Sequence, residues 1–179
     1  MTHAGTVFAH ALRLLALAAA LSMSAAAFAD DYADVNQLLH SGKYAEALAK
    51  ADQYIAAKPR DPQMRFLKGV VQSEAGQTAE AIATFTQLTQ EYPELPEPYN
   101  NLAVLYGGRS EFDKARLALE AAIRANPDYA VAYENLGDVY AKLAAVSYRK
   151  AQQLDTRNTS VEPKLALVRQ LFPAAPKAK

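Results

Sequence analysis

Few residues in this sequence are equipped for covalent chemistry. It contains no cysteine, and of its three histidines only His40 lies beyond residue 29. Without cysteine there are no disulfides, thiolate nucleophiles or cysteine-based zinc sites. His40 stands beside Ser41 and Gly42, at what reads as a helix end, where the dipole favours a solvated histidine. A metal centre or an acid–base pair would need further histidines or paired carboxylates held beside it. Gly107-Gly108-Arg109-Ser110 superficially suggests a phosphate loop. It lacks the spacing and the Lys-Ser/Thr end of one, and it reads as a turn. No enzyme, cofactor or metal is expected.

Side chains suited to reversible recognition are better represented. Asn101 and Asn135 stand 34 residues apart. An asparagine amide donates and accepts at once, which suits the main chain of an extended ligand; as ordinary solvated helix residues they would need none. Glu97, Glu134 and Asp138 would favour a basic or amine-bearing ligand, or they form a plain solvated face.

Composition narrows the partners. With 179 residues, 51% hydrophobic, 21% charged and a formal net charge of zero, the chain can bury a real core. No long block of one charge points to nucleic acid or to an anionic membrane surface. Residues 1–29 stand apart. Arg13 is their only charge, Leu14 to Ala27 is almost wholly apolar and small, and Ala27-Phe28-Ala29 precedes Asp30-Asp31. This is the plan of a secretory leader cut after Ala29. The apolar run of 14 residues is short of the roughly 20 that a spanning helix needs. The expected product starts near Asp30 in the periplasm or outside the cell. It has a net charge of −1, no stable membrane anchor, and only packing to hold it together in an oxidising compartment.

The elements that must position the asparagines and carboxylates repeat. Pro59, Pro93 and Pro127 are 34 residues apart, as are Ala47, Ala81 and Ala115. Gly42, Gly76 and Ser110 keep the same step, and so do Tyr44, Thr78 and Phe112. A unit of this length is two helices and two turns, and each leaves an apolar face that only its neighbour can cover. The glycine column falls where a left-handed residue ends the first helix. The alanine column falls where two helices cross closely. The proline column follows the second helix, which it cannot continue.

Tyr99, Leu102, Ala103, Tyr106, Phe112, Ala115, Leu119, Ala122 and Pro127 fall in an order that resembles the tetratricopeptide repeat, and Tyr133, Leu136, Gly137 and Tyr140 begin it again. The whole exported part is similar to small exported proteobacterial proteins of this family. The resemblance implies an all-α solenoid of antiparallel helix pairs over 30–172, with repeats at about 28–61, 62–95 and 96–129. Thr78 is the expected N-cap of the second helix of its repeat. In the first repeat, Ala51 and Tyr54 exchange the large and small positions of the family pattern, a swap that conserves volume. The fourth repeat, 130–155, departs from the family. No glycine or proline lies between Asp138 and Asp155, so one uninterrupted helix is expected there. A short helix over 161–172, with Leu165, Val168, Leu171 and Phe172 apolar, would cap the array, and 173–179 is expected to be disordered.

In this family the first helices of successive pairs line a concave groove. The resemblance places Tyr32, Asn36, Leu39 and His40 there, then Gln63, Phe66, Leu67, Val70 and Glu74. It adds Glu97, Asn100, Asn101 and Val104 from the third repeat, and Glu134, Asn135 and Asp138 from the fourth. Asn36 and Asn101 match asparagine positions of the family's carboxylate clamp, but the accompanying lysines and arginine are absent, which argues against a clamp. The implied function is a non-catalytic adaptor or scaffold holding a protein or peptide. The alternative is a structural subunit that forms a homodimer through the turnless fourth repeat.

Overall fold

The computed structural model describes residues 31–172. The leader over 1–29 and the tail over 173–179 lie outside the described residues. Among those described, all regular structure is helical. Helix α1 covers 31–40. It is followed by α2 (Tyr44–Ala57), α3 (Pro62–Glu74), α4 (Thr78–Glu91), α5 (Pro96–Gly108), α6 (Phe112–Ala125), α7 (Ala130–Leu154) and α8 (Val161–Gln170). The chain divides into two compact units, Met1–Thr84 and Phe85–Lys179, with the division inside α4.

One turn is built three times. Gly42 and Gly76 have φ of 70° and 74°, and Ser110 has φ of 60°, the one non-glycine residue among those described with positive φ. Gly42 N–H donates to Leu39 O at 3.0 Å and Lys43 N–H to Leu38 O at 2.9 Å. Gly76 and Gln77 repeat the pair onto Ser73 and Gln72, and Ser110 and Glu111 repeat it onto Gly107 and Tyr106. This is the Schellman closure of a helix, which needs a left-handed residue. The second helices also end alike. Lys58, Tyr92 and Asn126 donate back to Tyr54, Leu88 and Ala122 at 2.8–2.9 Å, each just before its proline. Pro62 and Pro96 open α3 and α5, where a missing N–H costs nothing. Thr78 is not the cap of α4. It is the first residue inside the helix, and the Gln77 carbonyl accepts the Ala81 N–H.

In the first unit, Val35 of α1, Ala47, Ala51 and Tyr54 of α2, and Met64, Leu67 and Val71 of α3 form the core. The exchange of large and small side chains is accommodated: Ala51 and Tyr54 are both buried. The Tyr54 ring meets the Tyr32 ring edge-on at 5.4 Å, a geometry that aromatic quadrupoles favour.

In the second unit α6 packs on α5 and α7, and α8 packs on α7. Ala115, Leu119 and Ala122 line the buried face of α6 at the spacing of an amphipathic helix. The fourth repeat is a single helix of 25 residues, about 37 Å long. In the 34-residue register the turn would fall on Ala144 and the small crossing residue on Arg149. Alanine has no preference for left-handed backbone, and an arginine cannot sit at a close helix crossing, so the helix continues. Helix α8 buries Val161 and Leu165 and ends at Gln170, two residues short of the expected Phe172. Leu171 and Phe172 continue as a turn, their N–H groups donating to Val168 O and Arg169 O at 3.3 Å.

Candidate functional site

Nine of the predicted groove residues, from Tyr32 to Glu74, belong to the first unit. The Asn36 amide donates to Tyr32 O at 2.9 Å, and Phe66 and Val70 are half-buried on α3. His40 is exposed, with Nδ1 2.6 Å from Asn36 O. Leu67 is turned into the core rather than outward. Tyr32 is also committed elsewhere. Its hydroxyl donates to Asp61 Oδ2 at 2.7 Å, and the Tyr54 hydroxyl donates to the same oxygen at 2.8 Å. Asp61 Oδ1 caps α3, accepting the Gln63 and Met64 N–H groups at 3.0 and 3.3 Å. Burial alone would raise the Asp61 carboxyl, but the bonds from Tyr32, Tyr54, Met64 and Gln63 outweigh it and hold the group below its ordinary value. Burial, and the bonds to Tyr54 and Asp61, push the Tyr32 hydroxyl well above the usual phenol range. This cluster fastens α1, α2 and the start of α3 together. Beside it, a depression of about 330 Å³ is lined by Lys50, Asp31 and Tyr54 among others. Lys50 is already paired there with Asp34 and, at 3.9 Å, with Asp31.

The second unit carries the other seven: Glu97, Asn100, Asn101, Val104, Glu134, Asn135 and Asp138. The Asn135 amide donates to Asn100 Oδ1 at 2.8 Å, joining α5 to α7. Asn100 is 8% exposed, so its end of the bond is buried. Asn101 turns back along α5, its amide donating to Glu97 O at 2.9 Å. Thus Asn101 and Asn135, which share a repeat position, do different things.

Asn135 and Asp138 line a cleft of about 270 Å³ with Ala103, Val104, Gly107, Phe112, Leu119, Val139, Lys142 and Phe172. Its floor is apolar and its polar groups stand on α7. Glu97, Asn100, Asn101 and Glu134 do not line it. The carboxylates of Glu97, Glu134 and Asp138 are exposed and make no ion pair among the described residues, unlike Glu111, Glu120 and Glu162, which pair with Lys114, Arg116 and Arg169. Lys142 lies four residues beyond Asp138, yet its Nζ stands 3.6 Å from the centre of the Phe172 ring, a cation–π contact.

Sequence reading identified Val104, Asn135 and Asp138 because they follow the 34-residue register. It gave Phe172 a capping role and missed that this ring borders the cleft. A residue beyond the last repeat has no register position, and nothing in the order of residues places it.

The architecture is that of a helical-repeat protein, and in the second unit an open cleft lies between the first helices of two successive repeats, α5 and α7. The tetratricopeptide repeat model matches residues 32–96 and 100–147, more than half of the chain, and the chain belongs to that family. Its fold is the all-α solenoid of the family, a protein-interaction module. No curated protein matches the sequence. Among solved structures, the chain is similar to a thermophilic tetratricopeptide repeat protein of Thermus thermophilus, at 23% identity and a TM-score of 0.58, covering 80% of this chain and 81% of that one. It is similar to the Sgt2 repeat domain of Aspergillus fumigatus, at 16% identity and a TM-score of 0.57, covering 82% and 85%. It is also similar to the type III secretion translocator chaperone SycD of Yersinia enterocolitica, at 19% identity and a TM-score of 0.56, covering 68% and 84%.

Proposed function

We propose that the chain is an exported, non-catalytic adaptor or scaffold that holds a segment of another protein in the cleft between α5 and α7. The observation that carries this reading is the Asn100–Asn135 pair. Two amides that share one hydrogen bond leave one N–H₂ donor and one carbonyl acceptor without a partner among the described residues. That remainder matches a peptide unit, and it is unchanged if both amides are rotated by half a turn. The apolar floor beside it suits a large apolar side chain of the bound segment. The unpaired carboxylates of Glu97, Glu134 and Asp138 favour a basic residue next to that anchor. Asn101 is proposed as a further contact in the second unit, and Asn36, Phe66 and Val70 as a separate binding surface of the first unit. Export is supported by the composition of residues 1–29; an N-terminus at Asp30 in protein recovered from the cell envelope is the expected result.

The test is selection of peptides from a displayed library on the full chain. The expected sequences carry an apolar anchor beside lysine or arginine. Asn135→Ala lowers their affinity by about tenfold, the worth of one or two hydrogen bonds. Selected peptides that bind Asn135→Ala and the natural chain alike would overturn the reading.

A second reading is self-association. Tyr133 and Tyr140, seven residues apart on α7, are 51% and 50% exposed. Their counterparts one repeat earlier, Tyr99 and Tyr106, are half-buried. A second copy could cover the tyrosines that no regular repeat follows. Light scattering tests it: twice the chain mass supports it, and a monomer at high concentration refutes it.

A further inference from the structure

Phe172 is the one large apolar side chain outside α5, α6 and α7 that borders the cleft. It also borders a second space of about 170 Å³, lined by Phe112, Lys142, Ala145 and Val168 among others. The ring therefore belongs to the lining of both spaces. It is held there by Lys142 on one face, at 3.6 Å, and by the turn that follows α8, whose N–H groups bond back to Val168 and Arg169. The backbone that carries it is a turn and not a helix. Leu171 beside it is 64% exposed, so the ring is presented on a short segment with little else to anchor it.

A ring that served only to seal a core would be expected to meet closed packing. This one leaves about 270 Å³ of open space next to it. An aromatic side chain on a short segment, with a cation against its face and an apolar floor beyond, is also how a bound peptide would present an anchor residue. We propose that Phe172 is an internal pseudo-ligand: it occupies the anchor position of the cleft, and a partner segment enters by placing its own aromatic side chain there and displacing Phe172. This rests on the cleft being the binding surface. The partner class is then a peptide with an aromatic anchor, and the chain binds it more weakly than the cleft itself would allow, because the competent state is only the fraction in which Phe172 is out.

The experiment has two parts, both on the full chain. The sequence has no tryptophan, so Phe172→Trp introduces a single indole at the site. Its emission is expected at shorter wavelength than that of the same indole in a free peptide, and it should resist quenching by acrylamide. Emission and quenching like those of the free peptide would overturn the proposal. In the second part the probe is a fluorescein-labelled synthetic peptide with the sequence of residues 170–177, which carries the Leu171-Phe172 pair. Phe172→Ala is expected to bind this peptide about tenfold more tightly than the natural chain, by removal of the internal competitor. The same peptide with alanine in place of its phenylalanine should not bind. A shielded indole together with no gain of binding by Phe172→Ala would show that the ring is only packing, and the proposal would fail. Circular dichroism shows whether Phe172→Ala is folded. If it is not, Phe172→Leu, which keeps an apolar side chain there but removes the ring and leaves Lys142 in place, is expected to give a smaller gain in the same titration, and no gain would overturn the proposal. Should Phe172→Ala bind the peptide and lose nothing on adding Asn135→Ala, the anchor position stands and the amide reading of the cleft falls.

Discussion

The side-chain amide of Asn135 donates to Oδ1 of Asn100 over 2.8 Å, although 35 positions separate them in sequence. This bond runs from one repeat to the next and ties α5 to α7 within the second unit.

Asn135→Ala removes the donor and leaves the buried Asn100 oxygen with a poorer partner. A loss of about 1 kcal/mol in urea denaturation is expected. Asn100→Ala should cost a similar amount, and the double variant less than the sum of the two. Strict additivity would mean that the two amides are not coupled.

Ser110 holds a left-handed conformation that glycine holds at Gly42 and Gly76. Ser110→Gly is expected to raise stability by about 0.5 kcal/mol, because relief of a strain of about 1 kcal/mol exceeds the added entropy of the unfolded chain. Gly76→Ala should lower it by about 1 kcal/mol. A β-carbon there would meet nothing within 4 Å, so the cost is conformational and not a clash. Thermal melts of the two variants should therefore move in opposite directions.

Asp61 accepts four hydrogen bonds, and its folded carboxyl lies below the ordinary value of 3.8. A group depressed by folding contributes stability above its unfolded pKa and loses it as pH falls through the folded one. Asp61→Asn should destabilise the chain at neutral pH and flatten the loss of stability below about pH 4. Tyr32 gives the opposite arm. Its raised hydroxyl contributes stability below the ordinary value of 10.0, and that contribution fades as pH rises beyond it. Tyr32→Phe should weaken both the acid and the alkaline dependence. Denaturation midpoints measured across pH check both variants.

Ala115 is fully buried on α6, which packs against α5 and α7. Ala115→Glu would place an unpaired carboxylate at that crossing, with no partner to offset its desolvation. A loss of more than about 4 kcal/mol is expected, enough to unfold the second unit at room temperature. Glu at the exposed position 117 of the same helix serves as the control, and Leu117→Glu should change stability by less than about 0.5 kcal/mol.

The sequence alone determined the helix pairs, because their causes are local and repeat in register. A left-handed residue ends a helix at Gly42, Gly76 and Ser110. A small residue lets helices cross at Ala47, Ala81 and Ala115. The missing turn after Tyr140 was legible for the same reason, as an absence of the residues that make turns. Val104, Asn135 and Asp138 could be assigned to a surface because that surface shares the period of the repeat. Tertiary structure decided what the period cannot express. Asn101 and Asn135 hold equivalent positions, yet one bonds its own helix and the other bonds Asn100, since only the second has a preceding first helix beside its amide within this unit. Tyr32 and Tyr54 converge on Asp61 through contacts that no spacing rule links. Phe172 follows a helix outside the register, and only packing of α8 on α7 brings its ring to Lys142 and the cleft. Local conformational preference is written in neighbouring residues; the meeting of distant side chains depends on where packing leaves each helix.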